Sequence, residues 1–244
     1  MRQEQKSNNQ FHSGGSISID KRPINKLGLH LGEHFAIVGK TGQGKTHLGK
    51  ELLEYLRRHY PHAKRYVLDS TEDGMDGVIG RLDVIGNRVP DLLKSPAHTQ
   101  IWTPDTDVPA NYNTWFEKIL YAREPAIVFV DEIASLTNGK SGDVPDGFIK
   151  LLKQGRKHDI SVISLTQEIA RVPLTMFRQM THFILFRINN ETYDLARARS
   201  YLNINKEDQR HPTGKYGFFY RRTDGDYLPK EFMGMQHFFK DVMR

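Results

Sequence analysis

Residues 39–46, GKTGQGKT, have the types and the spacing of a loop that binds phosphate groups. They match the pattern G-x-x-x-x-G-K-S/T, in which glycines let backbone N–H groups surround phosphate oxygens where a helix begins. Lys45 is expected to reach the β- and γ-phosphates of ATP, and the Thr46 hydroxyl is expected to bind Mg²⁺. The alternative is a chance glycine-rich turn, but an apolar strand pattern precedes the loop and a helical pattern follows it. The predicted nucleotide-binding residues are Gly39, Lys40, Thr41, Gly42, Gln43, Gly44, Lys45 and Thr46.

Two acidic residues, Asp131 and Glu132, directly follow the apolar run Ala126–Val130. A carboxylate at the end of a strand beside the phosphate-binding loop can hold the hydration shell of Mg²⁺, and this is the role predicted for Asp131. Glu132 is then placed to act as a general base that orients a water molecule against the γ-phosphate. The alternative is a pair of acids that caps a helix. A general base that activates water favours ATP hydrolysis over phosphate transfer to a small molecule, because phosphate transfer requires water to be excluded.

A polar pair, Thr166 and Gln167, ends the next apolar strand. An amide that leaves a buried strand is costly unless it has a partner. The γ-phosphate or the attacking water would be such a partner, which makes Gln167 a further candidate catalytic residue. Alternatively, Gln167 only satisfies the backbone of its own loop.

The candidate residues lie at the ends of apolar runs that alternate with helical patterns. Residues 78–86 fit either a strand or a helix, and the Asp-Gly pair at 224–225 between aromatic runs predicts a C-terminal hairpin. Alternating strands and helices predict an α/β fold, in which a mainly parallel sheet is covered by helices on both faces. Strands are predicted at 34–39, 65–69, 99–104, 126–130, 160–165 and 182–186, and helices at 45–60, 112–121, 145–154 and 191–201.

The composition limits the classes of function. The chain has 244 residues, 38% of them hydrophobic, and no cysteine. The lack of cysteine excludes disulfide scaffolds, zinc ribbons and thiol catalysis. No apolar run approaches the ~20 residues that cross a bilayer, and the N-terminus lacks the apolar core of a secretory signal, so we expect a cytoplasmic protein without a transmembrane segment. The net charge of +6 permits a polyanionic partner, although solubility explains so small an excess equally well.

Taken together, the loop GKTGQGKT, the acid pair in VFVDE, the segment GRKHDISVISLTQ and the strand FILFR resemble the HerA/FtsK superfamily of DNA-pumping ATPases. The resemblance covers roughly residues 32–201. It implies a RecA-like P-loop NTPase core of the ASCE class, ATP and Mg²⁺ as cofactors, and a homo-oligomeric ring, usually a hexamer, that threads DNA through its centre. It also implies the roles given above for Lys45, Thr46, Asp131, Glu132 and Gln167.

The resemblance further implies an arginine that enters the site of a neighbouring subunit, commonly just before the strand that ends in Gln. Arg156, in QGRKH, matches that position and would neutralise charge on the γ-phosphate in trans. The alternative is a solvated cation at the end of a helix. Spacing alone leaves Arg171, Arg178 and Arg187 open as well.

Within the superfamily, a core without membrane segments or an N-terminal barrel looks most like the genome-packaging ATPases of tailless, membrane-containing icosahedral viruses. This resemblance implies packaging of double-stranded DNA into a capsid, capsid vertex or membrane proteins as partners, and a location in the host cytoplasm or the virion. The alternatives are a plasmid-mobilisation or replication ATPase that acts on single strands, a small-molecule P-loop kinase, and a nucleotide-gated assembly protein with little turnover.

The remaining segments are assigned by composition. Residues 1–23 are polar and are predicted to form a flexible arm, followed by an ATPase core at 24–205. Residues 206–244 are predicted to form a hairpin and tail that pack on the core or on a neighbouring subunit. The loop at 138–143, with Lys140, is either a pore loop that touches DNA or a plain surface loop.

Overall fold

The computed structural model of the chain describes residues 28–70, 83–85, 89, 97–105, 111–137, 143–188, 196, 216–222 and 231–234. Nine strands occur in these residues, and all of them belong to one sheet. The strands are β1 (His34–Val38), β2 (Lys64–Leu68), β3 (Asp83–Ile85), β4 (Thr99–Thr103), β5 (Ala126–Val130), β6 (Ile160–Thr166), β7 (His182–Phe186), β8 (Gly217–Arg222) and β9 (Glu231–Gly234). The helices are α1 (Lys45–His59), α2 (Tyr112–Ala122), α3 (Asp146–Gln154) and α4 (Leu174–Phe177).

The order of the strands in the sheet decides which chain ends meet. It runs β3-β4-β2-β5-β6-β1-β7-β8-β9. The first seven strands in this order are parallel to one another, whereas β8 is antiparallel to β7 and β9 is antiparallel to β8. The carboxyl ends of the seven parallel strands therefore share one edge of the sheet, here called the carboxyl edge, and their amino ends share the opposite, amino edge.

The alternation of side chains along β1 shows how the sheet is covered. Phe35 and Ile37 point to one face, where they join Leu48 of α1 in a buried cluster. Ala36 and Val38 belong to a second buried cluster, which includes residues of α2 and α3 on the other face. The parallel strands are therefore buried from both sides, as strands of parallel sheets generally are.

This architecture confirms the predicted α/β fold with a mainly parallel sheet, helices on both faces and a C-terminal pair of antiparallel strands. The ambiguous stretch at 78–86 contains the strand β3, and the short helix α4 does not appear in the sequence prediction. Several predicted features lie outside the described residues: the arm at 1–23, nearly all of the helix at 191–201, residues 138–142 of the loop, and the turn at 224–225. The division of the chain into arm, core and tail stays a prediction. Among the described residues, no helix combines the length and the apolar character that crossing a bilayer requires.

Candidate nucleotide site

The loop at 39–44 joins the carboxyl end of β1 to the first turn of α1. Gly42 and Gly44 have φ angles of 76° and 94°, a region that residues with a Cβ rarely enter. Gly39 lies against the neighbouring strand, since a Cβ built on it would be 2.6 Å from the Cβ of Phe186. The glycines of the motif are therefore needed for the path of the loop, which turns back over the carboxyl edge.

Lys45 begins α1 and is buried, with 8% of its surface exposed. Its Nζ donates to the carbonyl oxygen of Lys40 at 3.2 Å. Burial lowers the pKa of this ammonium, and the nearby carboxylates of Glu132 and Asp131 offset only part of that effect. Burial makes the charged form of Lys45 costly, and an anion beside the ammonium would offset that cost. This position therefore fits a phosphate group in the cleft.

Thr46 and Asp131 come together although they lie 85 residues apart in sequence. Thr46 Oγ1 donates to Asp131 Oδ1 at 3.3 Å, and the Asp131 carboxylate is 9% exposed. The contact arises because β5, which ends just before Asp131, lies two strands from β1 in the sheet. A hydroxyl and a carboxylate are oxygen donors of the kind that Mg²⁺ prefers, so the pair fits the predicted metal position.

Glu132 is also 9% exposed, and two backbone amides hold its carboxylate. Ala134 N donates to Oε1 at 3.1 Å, and Gln167 N donates to Oε2 at 3.2 Å. Burial raises the pKa of Glu132, while the hydrogen bonds from Ala134, Thr166 and Gln167 and the charge of Lys45 lower it, and the net effect is a raised pKa. A raised pKa makes the carboxylate a better proton acceptor, as a general base requires.

Gln167 reaches across from the end of β6 to the phosphate-binding loop. Thr41 Oγ1 donates to Gln167 Oε1 at 2.6 Å. The side chain of Gln167 is thus directed to the loop between β1 and α1, while its backbone N–H is used by Glu132. This arrangement differs from the alternative in which the side chain of Gln167 only satisfies the backbone of its own loop.

A cleft of about 590 Å³ joins these side chains at the carboxyl edge. It includes five of the eight loop residues and both acids, and Gly39, Lys40 and Gln43 are not among its lining residues. The sequence patterns do not indicate His47 or Tyr216; Tyr216 reaches the cleft because it precedes β8, which is antiparallel to β7. The lining residues are Thr41, Gly42, Gly44, Lys45, Thr46, His47, Asp131, Glu132, Gln167 and Tyr216.

Arg156 lies at the amino edge of the sheet, opposite to this cleft. It belongs to a 3-10 turn directly before β6, and its Nη2 donates to Gln179 O at 3.0 Å and to Thr181 Oγ1 at 2.7 Å. β6 has seven residues and so separates Arg156 from Gln167 by about 23 Å. Arg178 also lies near the amino edge, before β7, whereas Arg171 and Arg187 follow β6 and β7 at the carboxyl edge. Within the described part of the chain, no arginine lines the cleft.

Solved structures share this fold, whereas sequence comparisons find no relative. No protein-family model matches the chain, and no curated protein matches it significantly. The genome packaging NTPase B204 from Sulfolobus turreted icosahedral virus 2, in complex with sulfate, has 15% sequence identity and a TM-score of 0.65, over 84% of this chain and 96% of that chain. B204, the DNA-packaging ATPase from Sulfolobus Turreted Icosahedral Virus, has 15% identity and a TM-score of 0.62, over 84% of this chain and 98% of that chain.

A third similar structure comes from a conjugation system. The pCW3 conjugation coupling protein TcpA, in its monomer form with ATPγS, has 15% identity and a TM-score of 0.57, over 87% of this chain and 65% of that chain. At such low identity these likenesses concern the fold. They confirm the expected RecA-like P-loop fold, which this chain shares with a viral genome-packaging NTPase and with a conjugation coupling protein.

Proposed function

We propose that the chain is an Mg²⁺-dependent ATPase that drives the translocation of DNA. The observation that carries this proposal is the convergence of Lys45, Thr46, Asp131, Glu132 and Gln167 on one cleft at the carboxyl edge. Open α/β sheets bind their ligands at this edge. A buried cation, a pair of oxygen donors for a metal and a carboxylate with a raised pKa together match the needs of water attack on a terminal phosphate.

Each residue has a separate task in this proposal. Bound Mg²⁺ would supply positive charge to the oxygens of the β- and γ-phosphates. Thr46 would hold the ion directly, and Asp131 would hold its hydration shell. Lys45 would neutralise phosphate charge from the other side, inside a part of the cleft where burial strengthens the attraction.

Glu132 would orient a water molecule and accept its proton. The amides of Ala134 and Gln167 fix the two carboxylate oxygens, so the base would not need to reorganise during the reaction. The amide group of Gln167, now bonded to Thr41, would respond to the γ-phosphate. A kinase for a small metabolite would gain nothing from a general base that activates water. We therefore favour ATP hydrolysis over phosphate transfer to a metabolite.

The DNA-related part of the proposal is supported by the names of the similar structures, which are a genome packaging NTPase and a conjugation coupling protein. We propose that copies of the chain form a homo-oligomeric ring, most simply a hexamer, around double-stranded DNA. This ring would package a viral genome into a capsid. The ring would act in the host cytoplasm or on the virion, with capsid vertex or membrane proteins as partners. A net charge of +6 on each chain would give the ring a basic surface for the phosphate backbone.

Arg156 would enter the cleft of the adjacent subunit in such a ring. The length of β6 separates Arg156 from the cleft of its own chain. Its predicted role therefore requires a second copy of the chain. We retain the division into an arm at 1–23, a core at 24–205 and a tail at 206–244 as part of this proposal.

The test is the Glu132→Gln variant, compared with Glu117→Gln on α2, a partly exposed carboxylate that pairs with Lys150 and does not line the cleft. Glu132→Gln should bind ATP within about threefold of the wild type and should hydrolyse it at least ~100-fold more slowly, because a general base contributes about 10²- to 10⁴-fold. The Glu117→Gln control should do both normally. Binding is measured by calorimetry with Mg²⁺-ATP, and hydrolysis by phosphate release. Near-normal hydrolysis by Glu132→Gln would exclude Glu132 as the base.

A second candidate function is a plasmid-mobilisation ATPase that acts on single strands, and the likeness to TcpA favours it. The two functions differ in the nucleic acid that stimulates hydrolysis. Duplex DNA should stimulate a packaging motor, whereas single-stranded DNA should stimulate a mobilisation ATPase. Displacement of a third strand from a duplex track would then measure translocation directly.

A further inference from the structure

The candidate cleft is lined by two chemically different sets of side chains. Near the phosphate-binding loop it is lined by Lys45, Thr46 and the two carboxylates, and it also has aromatic side chains, Tyr216 and His47. A volume of about 590 Å³ is within the range of pockets that enclose a complete small ligand. The charged side chains suit a triphosphate and its metal, so the aromatic side chains remain for another part of the same ligand.

The register of β8 explains why Tyr216 lies in the cleft. β8 is antiparallel to β7, with Phe218 paired to Phe186, so the chain enters β8 at the carboxyl edge. Phe218 is fully buried in the cluster on the α1 face of the sheet. Tyr220 packs on the same face as Phe218, and Tyr216, in the turn directly before β8, lines the cleft together with Lys45. That face at the carboxyl edge is where α1 begins with Lys45.

The other end of β8 is fixed by partly buried polar contacts. Arg222 Nη2 donates to Glu33 Oε1 at 2.8 Å, and the hydroxyl of Tyr220 hydrogen-bonds with His182 Nδ1 at 2.8 Å. His182 Nε2 lies 3.2 Å from Glu33 Oε2, and the fully buried ring of His182 stacks on Phe35 with 4.3 Å between centroids. These contacts join β8 to β7 and to the start of β1. The strand that leads from Tyr216 is therefore held in place before any ligand binds.

We propose that Tyr216 is the platform on which the base of the bound nucleotide stacks, a role that rests on the proposed nucleotide site. Every base has a π face, and stacking on an aromatic side chain needs no particular hydrogen-bond pattern. Tyr216 is 44% exposed and lines the cleft, so it is accessible to a ligand there. A platform fixed by its strand lowers the ordering cost of binding.

The experiment compares a ligand that has a base with one that has none. Calorimetry measures the Kd of Mg²⁺-ATP and of inorganic tripolyphosphate for the wild type, Tyr216→Ala and Tyr216→Phe. Tyr216→Ala should bind ATP roughly 5- to 150-fold more weakly, the range that corresponds to the loss of an aromatic platform for a base. Its affinity for tripolyphosphate should not change. Tyr216→Phe should bind both ligands like the wild type, because it keeps the aromatic face.

The matched control is Tyr121→Ala, which removes another exposed tyrosine, on α2, away from the cleft. It should leave both Kd values unchanged. If the alanine variant folds poorly, Tyr216→Phe still tests the proposal, because loss of ATP binding by the phenylalanine variant would contradict stacking. Unchanged ATP binding by Tyr216→Ala, or an equal loss for ATP and tripolyphosphate, would overturn the proposal. A loss confined to ATP in His47→Ala but absent from Tyr216→Ala would overturn it too.

These outcomes are separate from failure of the proposed function. A wild-type chain that binds neither ATP nor tripolyphosphate would refute the nucleotide site itself, and the platform with it. A wild-type chain that binds both ligands, with no effect of Tyr216→Ala, would refute the platform and leave the ATPase proposal standing.

Discussion

His34 provides a quantitative test of the packing at the start of β1. Its ring is fully buried, and Nε2 lies 2.9 Å from the carbonyl oxygen of Leu152. A carbonyl oxygen only accepts, so Nε2 carries the ring proton, and Nδ1 has no hydrogen-bond partner among the described residues. Burial lowers the pKa of His34 from 6.5 to about 4; the hydrogen bond to Leu152 opposes this shift, and the charge of Arg156 adds to it.

The sign and size of the effect follow from linkage. The depressed pKa means that the unfolded chain binds a proton below its pKa of 6.5, whereas the folded chain does not until the pH approaches 4. The stabilising effect of neutral His34 is therefore complete above pH 6.5 and is lost as the pH falls from 6.5 to about 4. Between about pH 7 and about pH 4.5, this loss amounts to about 2 kcal/mol of the free energy of unfolding.

The assay is urea unfolding at several pH values, with His34→Gln as the comparison. Glutamine does not titrate, and its amide can still donate to Leu152 O. The free energy of unfolding of the wild type should fall by about 2 kcal/mol more than that of His34→Gln over this range. Other titrating groups, such as Glu132, affect both proteins and cancel in the difference. Parallel pH profiles for the two proteins would refute the reasoning.

Three further predictions concern other parts of the fold. Glu33→Gln should lower the free energy of unfolding by about 1–3 kcal/mol in urea titrations, because the buried partner of Arg222 loses its charge; an unchanged midpoint would contradict this. Asp131→Asn should raise the Mg²⁺ concentration needed for ATP binding by about tenfold, as loss of an outer-shell carboxylate does, and an unchanged requirement would remove Asp131 from the metal site. Gly147→Ala should destabilise the chain by about 1–3 kcal/mol, since its Cβ would be 2.6 Å from the carbonyl oxygen of Asn113; wild-type thermal stability would show that α2 and α3 separate easily.

The parts of the site that sequence predicts are those that a local rule encodes. Residues 39–46 form one contiguous motif, in which glycines determine the backbone path and the helix start follows directly. Asp131, Glu132 and Gln167 are far apart in sequence, but each follows a predicted strand. The carboxyl ends of parallel strands share one edge of the sheet. These three residues could therefore be expected to lie close together even before the strand order is known.

The parts that sequence does not predict depend on which strands pair and in which register. Tyr216 lies in the cleft only because β8 runs antiparallel beside β7, and no local pattern specifies that neighbour. The contacts of Glu33 with His182 and Arg222 likewise need three strands to meet in one register. A shift of β8 by one residue would turn Phe218 to the opposite face and would move Tyr216, which directly precedes the strand, so the register itself determines this side of the site.

The edges of the sheet also limit how an arginine can complete the cleft. An isolated chain offers Arg171 and Arg187 at the carboxyl edge, and the carbonyl oxygen of Arg187 already accepts a hydrogen bond from Lys40 N at 2.9 Å. Arg156 lies about 23 Å away, at the opposite end of β6. The amino edge of one copy can meet the carboxyl edge of the next only in a head-to-tail contact, and repeated contacts of that kind close into a ring when the rotation permits. A requirement for Arg156 in hydrolysis therefore entails contact between copies, whereas a requirement for Arg187 does not.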